Sequence, residues 1–113
     1  MVIGMSPDFP DARFQGDAGQ LVFAQCGVSV MELNAELEAR NLALPTSGAS
    51  NGQTIGGAIS TGTHGSAHAV GAMQDFIAGL HMVAEGGRHY WIERASQPVV
   101  GQPFYELLGA ELK

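Results

Sequence analysis

The spacing of apolar residues changes several times along this chain, and each change predicts an element. Residues 21–28 read Leu-Val-Phe-Ala-Gln-Cys-Gly-Val, a short apolar run with the length and composition of a buried strand. Ser29 follows, with Glu32 three positions later. That pair is a capping box: the serine side chain accepts a backbone N–H of the first turn, and the glutamate reaches back to the serine N–H. The helix that it opens puts Val30, Leu33 and Leu37 on one stripe and sets Glu36 four residues before Arg40 on the outside. It is expected to end near Asn41, because Pro45 cannot continue it.

Residues 45–72 follow neither period. Gly48, Gly52, Gly56, Gly57, Gly62, Gly65 and Gly71 interrupt every window and leave room for a short helical turn at residues 56–59. Alternation returns over residues 75–84, where Phe76, Ala78, Leu80 and Met82 would share one face and Ile77, His81 and Val83 the other. Both faces are largely apolar, so this strand is expected to be central. Glu85-Gly86-Gly87 signals a turn, and residues 88–93 complete a hairpin. Residues 102–108 predict one or two helical turns, with Pro103 in the first position and Gly109 as the stop. Phe104, Tyr105, Leu107 and Leu108 would form its apolar face, which in a truncated domain would be free to drive self-association. Residues 1–20, with Pro7, Pro10, Gly16 and Gly19, read as irregular, which leaves residues 21–113 as the folded part. The class is α+β, a mixed or antiparallel sheet with flanking helices.

Composition narrows the partners. A chain of 113 residues holds one domain at most. Its 11 acidic and 5 basic residues give a net charge of -6, and no cluster of Lys and Arg exists to meet a phosphate backbone. Nucleic acid is therefore excluded as an expected partner. Cys26 is the one cysteine, so no intrachain disulfide can form; in the strand read at residues 21–28 it is a packed thiol. No apolar run approaches the length of a membrane span, and the N-terminus lacks the basic and apolar regions of a signal peptide. A cytoplasmic location is the expectation.

The glycine-rich stretch carries the chemistry. Sixteen glycines are about twice the ordinary share of roughly 7%, and many fall between residues 48 and 71. Such a cluster either lets backbone N–H groups point at a bound oxygen or satisfies the sterics of a tight turn, and composition alone favours neither. Ser60, Thr61 and Thr63 add hydroxyls without adding charge. There is no Gly-Lys-Ser/Thr and no G-x-G-x-x-G pattern. Residues 48–52 do fit G-x-S-x-G, with Asp75 and then His81 or His89 in hydrolase order. A nucleophile elbow needs a strand before the serine and a helix after it. Pro45 and Thr46 precede Ser50, and residues 53–57 lack helical character, so a Gly/Ser-rich loop is expected there. His64 and His68 stand four apart, but Gly62 and Gly65 oppose a helix that would bring them to one face, and no metal site is expected. His81 and His89 alternate within strands and read as packed or hairpin-paired residues.

Residues 54–66, TIGGAISTGTHGS, closely resemble the signature of FAD-linked oxidases with the vanillyl-alcohol-oxidase, or PCMH, type of FAD-binding domain. That group includes sugar-lactone oxidases, alditol oxidases and the flavoprotein type of cholesterol oxidase. The likeness extends upstream through Gly27-Val28, the following helix, Leu42-Ala43-Leu44-Pro45 and Gly48, and downstream through Asp75, Leu80, Val83 and Gly86. It covers about residues 21–94 and matches the second subdomain of such a domain. The resemblance implies FAD as cofactor and flavin contacts at Thr54, Gly57, Thr61, Gly62, Thr63 and His64, with Gly56, Gly65 and Ser66 close by, mostly through backbone atoms. It also implies hydride transfer from the CH–OH group of an alcohol or sugar-like substrate. In an acidic chain, a dinucleotide would be held by backbone N–H groups and helix ends more than by cations. The family's first diphosphate-binding loop has no counterpart in residues 1–20, and its substrate domain, the usual source of the catalytic base, has none either. The chain is therefore expected to hold about half of a cofactor domain, and no catalytic residue is nominated. Two other functions compete: a non-catalytic truncated α+β module that acts by association, and a small serine hydrolase using Ser50.

Overall fold

In the computed structural model, which describes residues 2–4 and 15–99, Ser29 opens helix α1 at Val30–Glu38. Its Oγ accepts the Glu32 N–H at 3.1 Å, and Glu32 Oε2 accepts the Ser29 N–H at 2.9 Å, so the capping box is complete. The Ser29 hydroxyl also donates to Glu32 Oε2 at 2.6 Å. That hydroxyl, then the Ser29 N–H, holds the Glu32 carboxyl below its ordinary value. Val30, Leu33 and Leu37 are all buried, and Arg40 meets Glu36 at 2.7 Å on the exposed side. The helix stops before Pro45 acts on it. Asn41 adopts φ +56°, and the Leu42 N–H folds back to the Leu37 carbonyl at 2.9 Å. A short polar side chain tolerates that left-handed conformation better than most.

Two compact units are formed by the described residues. The first comprises residues 2–4 and 22–77. Strand β1 (Val2–Gly4) pairs antiparallel with β2 (Val22–Ala24), Val2 opposite Ala24 and Gly4 opposite Val22. Residues 2–4 thus take regular structure inside the stretch read as irregular. The strand expected over residues 21–28 is cut short at Ala24, because the Val28 N–H returns to the Gln25 carbonyl and turns the chain at Cys26 and Gly27. Cys26 is consequently exposed and not a packed thiol. Helix α2 spans Ile55–Ser60 behind Thr54, close to the short turn read at residues 56–59.

Val28, Val30, Leu33, Leu37, Ile55, Ala58 and Met73 form one core, with Ile59, Leu44 and Phe76 among the side chains packed around it. Met73, 1% exposed, enters from a 3-10 turn at Met73–Phe76. Burying such a side chain stabilises the fold by about 1.5–3 kcal/mol. The strand expected from residue 75 begins only at Gly79. Asp75 is the reason: its Oδ2 accepts the Ala72 N–H at 2.7 Å and curls the chain into that turn, which carries Phe76 into the core.

The second unit comprises residues 15–21 and 78–99. Strands β3 (Gly79–Ala84) and β4 (Arg88–Glu93) form the expected hairpin, from Gly79 opposite Glu93 to Ala84 opposite Arg88. Glu85–Gly87 closes it, with Gly86 at φ +76° and Gly87 at φ +69°, a conformation that glycine adopts without a Cβ penalty. Among the described residues β3 pairs with β4 alone, on one of the two edges that a central strand would use. Met82, Val83, Tyr90 and Ile92 are exposed. The class is α+β with antiparallel pairing, as the sequence predicts. The helical turns expected at residues 102–108 lie outside the described residues. No described helix is long and apolar enough to cross a membrane.

Candidate functional site

Within the glycine-rich stretch the starts of the two helices are joined. Ser29 and Thr54, the residues that precede α1 and α2, face each other in an isolated antiparallel bridge with nearly identical backbone angles. Through it each helix start is closed by carbonyls from the other's lead-in. The Val30 and Met31 N–H groups donate to Gln53 O and Asn51 O, both at 2.9 Å. The Ile55 and Gly56 N–H groups donate to Val28 O at 2.8 Å and Cys26 O at 2.9 Å. Thr54 Oγ1 accepts the Gly57 N–H at 3.2 Å. The first N–H groups of a helix ordinarily lack partners and attract anions. Here those of α2 are taken by protein, so its start offers no anion site. Gly56 suits this joint, since a Cβ there would crowd Cys26, 3.1 Å from its Cβ and 3.2 Å from its carbonyl oxygen.

Beyond α2 the chain makes a turn whose ends are fixed. Thr61 follows the helix, and Gly62 takes φ +67° with nothing within 4 Å of where a Cβ would sit. Thr63 is held on both sides: its N–H donates to Ala58 O at 3.0 Å and its carbonyl accepts the Met73 N–H at 2.8 Å. The Gly65 N–H donates to Thr46 Oγ1 at 2.9 Å across nineteen residues of chain. A Cβ on Gly65 would lie 2.8 Å from both Ser47 O and Thr46 Oγ1, so only glycine fits. Gly48 is constrained similarly, its Cβ position being 2.8 Å from Thr63 Cγ2. Gly48, Gly56 and Gly65 thus serve protein-on-protein packing, whereas Gly62 faces open space. Tight packing, one of the two uses that composition leaves level, accounts for Gly48 and Gly65.

The hydroxyls divide as well. Ser60 donates to Gly56 O at 2.7 Å and Thr61 to Gly57 O at 3.0 Å, so outward they present lone pairs and not protons. Thr63 Oγ1 lies 3.4 Å from Gln53 Oε1, a long and weak bond. Thr54 Oγ1 accepts, which leaves its proton to donate outward. His64 is exposed, with Nδ1 2.9 Å from the Gly65 carbonyl, and Ser66 is exposed beyond it. None of Thr54, Gly56, Gly57, Thr61, Gly62, Thr63, His64, Gly65 and Ser66 is buried. Sequence reasoning passed over Thr46 and Gln53, which lie in loops and act on residues ten or more positions away. No local pattern marks such contacts.

Other candidates separate. Ser50 lies in an exposed loop with no strand before it, and α2 begins only at Ile55, so the nucleophile-elbow geometry is absent. His64 and His68 do not share a helix. Among the described residues no group of three His, Cys, Asp or Glu suits a metal ion. His81 and His89 are a hairpin pair, with His81 Nε2 2.9 Å from His89 Nδ1 and the rings nearly parallel.

Comparison with known proteins gives this geometry its context. Residues 1–93 match the model of the FAD binding domain family. The chain belongs to that family. Its cofactor is FAD, as the resemblance of residues 54–66 implies. A putative D-arabinono-1,4-lactone oxidase of Neurospora crassa is 45% identical over 67 residues, covering 59% of this chain and 12% of that protein. The D-arabinono-1,4-lactone oxidase of Eremothecium gossypii is 35% identical over 79 residues, 70% of this chain and 15% of its own length. A long-chain alcohol oxidase of an uncultured marine euryarchaeote is 38% identical over 73 residues, 64% of this chain and 15% of its own. The chain therefore spans only 12–15% of the length of these curated relatives. No solved structure matches it.

Proposed function

We propose that residues 54–66 form one wall of the FAD site of a flavin-dependent oxidoreductase that acts on the CH–OH group of an alcohol or sugar-like substrate. Thr54, Gly56, Gly57, Thr61, Gly62, Thr63, His64, Gly65 and Ser66 line that wall. The observation that carries the reading is the turn at residues 61–66, exposed yet anchored at Thr63 and Gly65, in a chain of the FAD binding domain family. The residues present fit such a ligand. No Asp, Glu, Lys or Arg occurs between Arg40 and Asp75, so the stretch itself offers a diphosphate neutral dipoles and no carboxylate of its own. Gly62 leaves room for close approach, and the Thr54 hydroxyl has a proton to give. The relatives' names, oxidases of a sugar lactone and of a long-chain alcohol, support the substrate class.

When bound, FAD supplies a two-electron acceptor for hydride from the substrate carbon. The residues of this chain bind and orient it, and no proton transfer is assigned to them. Titrating FAD into the purified chain, with flavin fluorescence and thermal stability as readouts, tests the reading. Saturable quenching with a rise in Tm is expected; neither effect at high micromolar FAD would refute it.

Association is a second reading, supported by Met82, Tyr90 and Ile92 exposed on one face of the hairpin. Sedimentation velocity over a concentration series decides it: a monomer throughout removes this reading.

A further inference from the structure

Thr46 is the one polar residue among the buried described ones, 7% exposed, and its Oγ1 receives the Gly65 N–H. Gly65 in turn receives the His64 ring, whose Nδ1 stands 2.9 Å from the Gly65 carbonyl. A carbonyl oxygen only accepts, so Nδ1 must carry the hydrogen in that contact, and in the neutral ring Nε2 is left with a lone pair. Thr46, Gly65 and His64 form a short chain of two hydrogen bonds, one to each of the peptides that flank the Gly65 Cα. It starts at a buried hydroxyl and ends at an exposed imidazole nitrogen.

We propose that Thr46 is the positioning residue of the His64 loop, holding His64 as its Nδ1–H tautomer so that Nε2 accepts from a hydroxyl or N–H donor of FAD. This rests on the reading of residues 54–66 as the flavin-binding wall. The chemistry of the acceptor selects the group that it meets. Diphosphate oxygens have no proton to give, so a neutral His64 in this tautomer does not recognise them. The ribityl hydroxyls, the flavin ring N–H and the adenine amino group are donors, and Nε2 fits that class. Thr46 matters because glycine has no Cβ to limit its own rotation. The bond to Thr46 Oγ1 fixes the 64–65 peptide, and the Ser47 carbonyl crowding the Cβ position of Gly65 limits movement at its Cα, which together hold the following carbonyl where it orients the ring.

The nitrogen shifts of the His64 ring in the ¹⁵N-labelled 113-residue chain at neutral pH report the tautomer directly. FAD affinity is measured alongside by fluorescence quenching. A protonated Nδ1 and bare Nε2 are expected in the wild type. Thr46→Val, which removes the hydroxyl but keeps the shape, should give a mixture of tautomers and weaken FAD binding by about tenfold, a typical effect of one lost hydrogen bond. Thr46→Ser should restore both. A wild-type His64 with its proton on Nε2 would overturn the proposal without any variant. So would a folded Thr46→Val chain with unchanged tautomer and affinity. A wild-type chain with the expected tautomer and no affinity for FAD would instead overturn the flavin reading, and with it the cofactor donor assigned to Nε2.

Discussion

Gly65→Ala is the sharpest test of the packing around the loop. The new Cβ would lie 2.8 Å from Ser47 O and from Thr46 Oγ1, closer than real Cβ atoms come to such neighbours. Both neighbours belong to the chain facing Gly65, and one is a backbone atom that cannot swing aside. The loops must separate, and the 2.9 Å bond from the Gly65 N–H to Thr46 Oγ1 goes with them. Overpacking of this kind costs about 1–3 kcal/mol. The lost bond adds about 0.5–1.5 kcal/mol. Alanine returns about 0.4–1 kcal/mol by restricting the unfolded chain. Destabilisation wins, by about 0.5–4 kcal/mol net and about 2 at the centre of that range. Urea unfolding followed by far-UV circular dichroism would show this as a midpoint about 1 M lower at unchanged slope, taking a slope of about 2 kcal/mol per M. Gly52→Ala is the control, because the nearest atom to its added Cβ is Ser50 Oγ at an ordinary 3.9 Å. It should shift stability by no more than about 0.5 kcal/mol. The reasoning fails if Gly65→Ala unfolds at the wild-type midpoint, or if Gly52→Ala loses as much.

Met73, 1% exposed in the core, should cost about 2–5 kcal/mol on change to Ala, read as a lower Tm. Asn41→Gly should raise stability by about 0.5 kcal/mol, since φ +56° strains asparagine and not glycine; a lower urea midpoint would contradict this. Glu32 has a lowered folded-state pKa, so its contribution is present above the ordinary carboxylate range and is lost as pH falls through the lowered value. Glu32→Gln should therefore flatten the acid side of the stability profile, and an unchanged acid slope would argue against the capping box as its source.

What the sequence reveals depends on how local each cause is. Ser29, Glu32 and the stripe Val30, Leu33, Leu37 act within a few residues of one another, and α1 forms as they predict. The hairpin strand Arg88–Glu93 is also marked locally, by Glu85-Gly86-Gly87 before it. The strand before α1 ends early at the turn closed by the Val28 N–H and the Gln25 carbonyl, and the Cys26 carbonyl in that turn meets the Gly56 N–H thirty residues on, which no window can register. Asp75 misleads in the opposite way. Its side chain answers the backbone three residues behind, and that bond outweighs the alternation of apolar residues that follows. At the candidate site, residues 54–66 identify the family by their type and order, but the role of Thr46 exists only in three dimensions.

The bridge between Ser29 and Thr54 constrains the order in which the chain can fold. Neither helix has a finished start until residues 26–28 and 51–53 meet, since each lead-in supplies the other's missing acceptors. With only six residues, α2 is too short to persist in water by itself. The two helices should therefore appear in one cooperative step, as a single foldon. Amide protons of Val30, Met31, Ile55 and Gly56 would then exchange with a common opening free energy, although the rest of α1 and a long loop separate the two pairs in the chain.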